Sequence, residues 1–181
     1  YQPIERKTEL TRRCLEILSK HGFDVCIQTK SDLELRDLNL IKPEGFEVGV
    51  TVTTLDRDLV RKLEPKAAPP DARLATLEEF SQRGVETWVF LGPIIPEIND
   101  SQEELRKIVE SARKTGSYII YDKLNLKRGV LERLGPLLEE KKGLTERLPE
   151  MVTKKSEWWQ RTRNVVEKIC KELGVRCEPA F

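Results

Sequence analysis

No run of some 18 consecutive apolar residues occurs in the chain, so a membrane-spanning helix is not expected. The four cysteines, Cys14, Cys26, Cys170 and Cys177, are widely spread. Their spacing matches neither paired CxxC zinc ligands nor a small disulfide framework, and buried thiols in a reducing cytoplasm are the default expectation. Only Cys170 and Cys177 are close enough in sequence to raise a disulfide or metal question. The single histidine, His21, stands before Gly22, where it reads as a helix C-cap, and no nucleophile–base pair can be assigned. Charge of one sign is also lacking: 32 Lys and Arg against 31 Asp and Glu leave +1, which gives no global footprint for nucleic acid. Between Lys127 and Arg176 a local excess of 13 basic over 8 acidic residues fits either a solvated helical face or an anionic partner.

What is present is an alternation of helical and strand patterns at a spacing of about thirty residues, which argues for βα units and a parallel sheet. Leu10, Cys14, Ile17 and Leu18 share a helical face ahead of His21-Gly22. A strand is predicted over Phe23 to Thr29. Ser31-Asp32-Leu33-Glu34 reads as a capping box opening a helix through Leu35, Leu38 and Ile41, with its stop near Pro43 and Gly45. Further strands are expected at Phe46 to Thr53, Val85 to Leu91 and Ser117 to Tyr121, with helices at Pro69 to Arg83 and after the capping box Ser101-Gln102-Glu103-Glu104. Past Asn125 the pattern breaks into short helical pieces, then a longer helix from Ser156 to Leu173. The division expected is a barrel portion over 1–126 and a helical C-terminal extension over 127–181 that covers one end.

Strand parity carries the functional information, because successive side chains point to opposite faces. Phe46, Val48, Val50 and Val52 form the set that packs under helices, leaving Glu47, Gly49, Thr51 and Thr53 on the other face. Phe23, Val25 and Ile27 alternate in the same way with Asp24, Cys26, Gln28 and Lys30. A barrel filled only for stability would carry branched apolar side chains inside. Lys30 and Thr51 are therefore expected in a polar cavity at the C-terminal ends of the strands, where such sheets bind ligands; the alternative for Lys30 is a structural ion pair. Gly92-Pro93-Ile94-Ile95-Pro96 and Tyr121-Asp122-Lys123-Leu124-Asn125 mark two further strand ends, each readable as a ligand loop or as a plain rigid or charge-paired turn.

Several of these segments occur in a recognisable order: Gln28-Thr29-Lys30-Ser31, Leu35-Arg36-Asp37-Leu38, Val48 through Thr54, Leu63-Glu64-Pro65 followed by Pro69 and Arg73, Gly92 to Pro96, and Tyr121 to Asn125. Together they resemble radical S-adenosylmethionine proteins related to spore photoproduct lyase, over roughly Tyr1 to Asn125. The resemblance implies the parallel-stranded portion of an incomplete (β/α)6 TIM-like barrel with a C-terminal helical appendage. It implies S-adenosylmethionine and a [4Fe-4S] cluster as cofactors of the full-length protein, which would generate a 5′-deoxyadenosyl radical on a substrate the sequence does not identify. By the same likeness, Lys30, Thr51, Thr53, Gly92, Pro93, Ile94, Tyr121 and Asp122 are the candidate cofactor-binding residues. The CxxxCxxC loop that would ligate the cluster is absent from this sequence, so no metal ligand is assigned here.

At 181 residues the chain is also shorter than the roughly 250 of a complete α/β barrel. Tyr1 to Glu5 show no initiating Met and no leader pattern, and the missing barrel strands are expected upstream, leaving a chain that is inactive alone. A free sheet edge would then invite self-association. Two readings of other classes stand beside this one. The Lys154 to Arg163 stretch, with Trp158 and Trp159, could make a nucleic-acid-binding module, unless the tryptophans dock their helix on the barrel. A metal-independent α/β enzyme using Asp122, Lys123 and Lys30 is the other.

Overall fold

The structure, a computed structural model, describes residues 1–180. Five parallel strands run in sequence order across one sheet: β1 (Val25–Thr29), β2 (Phe46–Val52), β3 (Glu86–Ile94), β4 (Tyr118–Lys123) and β5 (Cys177–Pro179). The helices are α1 (Glu5–Thr8), α2 (Leu10–Lys20), α3 (Arg57–Leu63), α4 (Pro70–Ser81), α5 (Gln102–Lys114), α6 (Val130–Glu139), α7 (Leu144–Met151) and α8 (Glu157–Leu173). Parallel neighbours cannot be joined by a tight hairpin, so each connection carries helix that returns the chain to the sheet's starting end.

One face of the sheet is covered as parity predicts. Val48, Val50 and Val52 of β2, Val89 and Leu91 of β3 and Ile119 of β4 are at most 1% exposed. They pack in one core with Leu77 and Phe80 of α4, Leu105, Ile108 and Val109 of α5, and Val166 and Ile169 of α8. Burying a side chain of this size fully stabilises the fold by about 1.5–3 kcal/mol, so this row dominates its stability. A second, smaller core joins Ile95 and Leu124 at the strand ends to Leu134, Leu138, Leu144 and Leu148 of α6 and α7.

Local signals set the helix starts. Pro70 supplies the first turn of α4, Asp56 accepts from the backbone N–H of Asp58 and Leu59 to open α3, and Ser156 accepts from that of Trp159 to open α8. Gly174, at φ 65°, ends α8 in the left-handed region and turns the chain into β5.

Four expectations are corrected. The segment after Ser31 is a short 3-10 helix (Leu33–Asp37) rather than an α-helix reaching Ile41. Ser31 caps the Leu33 N–H, and Glu34 is drawn inward to share a hydrogen bond with the Thr76 hydroxyl of α4, so the capping box never forms. The Leu10, Cys14, Ile17 and Leu18 face of α2 is exposed, with Leu10 at 61% and Ile17 at 59%, and Leu15 alone is buried in that helix. Strand β1 starts at Val25, leaving Phe23 60% exposed. Finally, the tail after α8 supplies β5, pairing Cys177 with Ile119. Among the described residues β1 and β5 each pair on one side only.

Candidate functional site

Register fixes which side chains share the uncovered face. Thr51 pairs with Phe90 and Phe90 with Ile120, while Val52, Leu91 and Tyr121 form the next row, pointing to the helices. Gln28 and Thr51 meet on the uncovered face, the Gln28 amide donating to the Thr51 hydroxyl at 3.4 Å. Past the end of β1, the Lys30 ammonium lies 2.7 Å from Glu64 Oε1.

Glu64, which sequence reasoning gave no role of its own, is the hub of the site. Its Oε2 accepts from Arg73 Nη2 at 2.6 Å, and its Oε1 lies 2.7 Å from the Thr53 hydroxyl. Thr53 Oγ1 is also 2.9 Å from the Gly92 carbonyl oxygen. One hydroxyl proton serves both acceptors, and the ionised carboxylate is the stronger of the two. Arg73 is fully buried and satisfied, donating also to the carbonyls of Thr51 at 2.7 Å and Ala68 at 2.6 Å. Burial alone would raise the Glu64 pKa, but hydrogen bonds from Lys30, Thr53 and Arg73 and the Lys30 charge outweigh it and hold the carboxyl below its usual range. Two cations thus share one carboxylate, leaving one net positive charge on this trio. Only the spacing of Glu64 and Arg73 across Pro65 and Pro69 hinted at this in the sequence.

A second ion network braces the other side of β1. Asp37 accepts from Tyr1 at 2.7 Å, Arg12 at 2.6 Å and Arg36 at 3.1 Å. Glu5 accepts from the backbone N–H of Thr11 and Arg12, so its carboxylate caps α2 from outside that helix. Burial opposes ionisation of both acids; those donors reverse it and hold Glu5 at about 2 and Asp37 below the usual range.

Between these networks a cleft of about 680 Å³ opens over the end of β1, lined by Arg6, Gln28, Lys30, Ser31, Asp32 and Lys66 among others. Lys30 is 44% exposed at its side chain and faces this cleft. Thr51 reaches it through Gln28, and Thr53 and Gly92 through Glu64. The end of β3 and the loop that follows it are held by Asn99, whose Oδ1 accepts from Ile95 N at 2.6 Å and whose Nδ2 donates to the Thr53 and Pro93 carbonyls. A Cβ at Gly92 would lie 2.7 Å from the Phe90 ring and 3.1 Å from the Asp122 carbonyl, so this point of β3 needs glycine. Pro93 and Asp122 are half-buried, and Asp122 accepts from the Lys123 N–H.

Two candidate residues are placed elsewhere. Ile94 is sealed in the main core, with its carbonyl engaged by Leu124 N–H. Tyr121 is fully buried beneath α8, donating to Glu167 at 2.6 Å with its ring 6.1 Å from that of Trp159. Both tryptophans of the basic stretch serve docking: Trp159 is buried, and Trp158 Nε1 donates to Asp100 of the loop after β3 at 2.7 Å. His21 ends α2 through its backbone N–H. Cys14 and Cys26 are exposed, Cys170 is buried, and among the described residues no group of three or more His, Cys, Asp or Glu could hold a metal ion. No helix there is long and apolar enough to cross a membrane.

No family model matches the chain. An uncharacterized protein of Methanocaldococcus jannaschii is 32% identical over 128 residues, 70% of this chain and 48% of that protein. One from Acidianus two-tailed virus is 31% identical over 137 residues, 72% and 46% of the two chains, and one from Mycobacterium tuberculosis is 30% identical over 121, 65% and 36%. The chain thus spans half or less of the length of these relatives. Among solved structures, a domain of pyruvate-formate lyase-activating enzyme from Bacteroides vulgatus is similar at a TM-score of 0.66 and 10% identity, covering 96% of this chain and 91% of that one. A radical SAM methyltransferase from Sphaerobacter thermophilus gives 0.66 at 14% identity, covering 98% and 48%. A spore photoproduct lyase variant gives 0.64 at 11%, covering 98% and 57%. The fold is that of the parallel α/β barrel of radical SAM enzymes, and at such identities the likeness speaks for the fold alone.

Proposed function

We propose that the chain forms the S-adenosylmethionine-holding part of a radical SAM enzyme whose cluster is ligated outside these residues. The observation that carries this reading is the surplus positive charge of Lys30 and Arg73 around Glu64, set at the C-terminal strand ends of that fold.

The residues present fit one of the two implied groups. The donor set at the cleft, a Lys ammonium with two N–H bonds beyond the one given to Glu64 together with the Gln28 amide, suits an amino-acid carboxylate. The [4Fe-4S] cluster has no ligand set among the described residues. S-adenosylmethionine, when bound in such an enzyme, supplies the radical chemistry. This chain's residues would bind and orient it: Lys30 as the charged anchor, Thr51 and Thr53 fixing the Gln28 and Glu64 side chains behind it, and the backbone of Gly92 and Pro93 with Asp122 as the adjoining wall. Tyr121 and Ile94 would contribute only by supporting that wall from beneath.

The nucleic-acid reading loses its stacking groups, since Trp158 and Trp159 are engaged in docking α8. Calorimetric titration of the chain with S-adenosylmethionine tests the assignment. Lys30→Gln removes a charge-assisted hydrogen bond of about 1.5–3 kcal/mol, an expected loss of about tenfold to a hundredfold in affinity; equal affinity in the two proteins would refute it.

A further inference from the structure

The cleft over β1 carries more positive charge than one amino-acid carboxylate uses. Three cations, Arg6, Lys30 and Lys66, line it against one carboxylate, Asp32. Lys30 is shared with Glu64, whereas Arg6 and Lys66 are exposed and form no ion pair among the described residues. They come from separate segments, Arg6 from α1 and Lys66 from the turn between Glu64 and Pro69. Ser31 lies in the same lining; its Oγ accepts from Leu33 N, which leaves its hydroxyl proton free to donate. At about 680 Å³ the cleft has the size of a site for a whole small molecule rather than for the amino-acid end of one.

We infer that Arg6, Lys66 and the Ser31 hydroxyl form a second oxyanion subsite, which holds a phosphate group of the substrate beside the Lys30 position. A phosphate monoester carries close to two negative charges at neutral pH. The guanidinium fork of Arg6 and the ammonium of Lys66 match that charge, and a fork with an added ammonium and hydroxyl meets three tetrahedral oxygens better than it meets a flat carboxylate. Asp32 weakens the subsite by repulsion. The assignment of the Lys30 neighbour as a cofactor position rests on the proposed function; the subsite itself does not.

The test is a calorimetric titration of the chain with inorganic pyrophosphate at low ionic strength, with and without saturating S-adenosylmethionine. Pyrophosphate is expected to bind in both conditions. Lys66→Gln and Arg6→Gln are each expected to weaken it tenfold or more while changing S-adenosylmethionine affinity less than threefold, and Lys66→Arg to retain it. Asp32→Asn is expected to strengthen it twofold to fivefold. Pyrophosphate affinity unmoved by both Gln variants overturns the subsite, as does strict competition with S-adenosylmethionine, which would mean a single anion position. Pyrophosphate binding with the expected variant pattern, but no S-adenosylmethionine binding, sinks the proposed function and leaves the subsite standing.

Discussion

Glu34 sits fully buried between the 3-10 helix and α4, and one of its oxygens, Oε2, has no partner. Burial raises its pKa from the ordinary 4.5 to about 7, against the opposing pull of its hydrogen bonds. The protonated acid explains the geometry. Thr76 Oγ1 lies 2.9 Å from Glu34 Oε1 and 2.7 Å from the Arg73 carbonyl, and a protonated Glu34 donates to Thr76 while Thr76 donates to that carbonyl. The unfolded chain releases this proton near pH 4.5 and the folded chain near 7, so the folded state binds more protons in that window and loses stability as pH rises through it. Each pKa unit is worth about 1.4 kcal/mol, which makes the loss roughly 3 kcal/mol across the window, flat above it. Glu34→Gln keeps a donor for Thr76 and cannot ionise. Urea unfolding of both proteins from pH 4 to 8 is expected to show equal stability near pH 4 and a variant more stable by about 3 kcal/mol at pH 8. Parallel pH profiles for the two proteins would refute a neutral buried Glu34.

Glu64→Gln leaves buried Arg73 without its countercharge and is expected to destabilise the fold by about 3–5 kcal/mol in urea melts. Because the Glu64 pKa is depressed, its stabilisation is present above the ordinary carboxylate range and fades as pH falls through its folded value, so the gap between wild type and variant should narrow in acid; a constant gap would contradict this. At Gly49 a Cβ would lie 2.3 Å from the Trp88 ring, so Gly49→Ala must displace the indole, at about 1–3 kcal/mol and with a changed near-ultraviolet signal. We also propose that the free edge of β1 and the exposed Leu10 and Ile17 promote self-association; sedimentation should show it concentration-dependent and reduced by Leu10→Lys with Ile17→Glu, and a strictly monomeric wild type would rule it out.

The alternation of Val48, Val50 and Val52 was enough to orient β2, because a parallel strand under helices must bury that set. The same rule applied to β4 separates Tyr121 from its neighbour Asp122, and reading the pair as one polar cluster missed that they face opposite sides. Lys30 was legible from parity, and its ion pair was foreseen as the alternative to ligand binding; the structure shows the pair while leaving the ammonium open to the cleft. Glu64 was not legible as a hub, since its partners Lys30, Thr53 and Arg73 come from three separate segments and no periodicity joins them. The apolar face of α2 reads as core by spacing alone, but spacing does not say what lies opposite, and here nothing among the described residues does. Strand β5, three residues with a proline, is too short to carry a pattern.

The bond from Trp158 to Asp100 gives the molecule a built-in optical probe. Asp100 closes the loop that follows β3, and Asn99 beside it clamps that loop to the Thr53 carbonyl. A shift of the loop will alter the charge next to one indole, so movement of that loop can be followed by emission wavelength with no label attached.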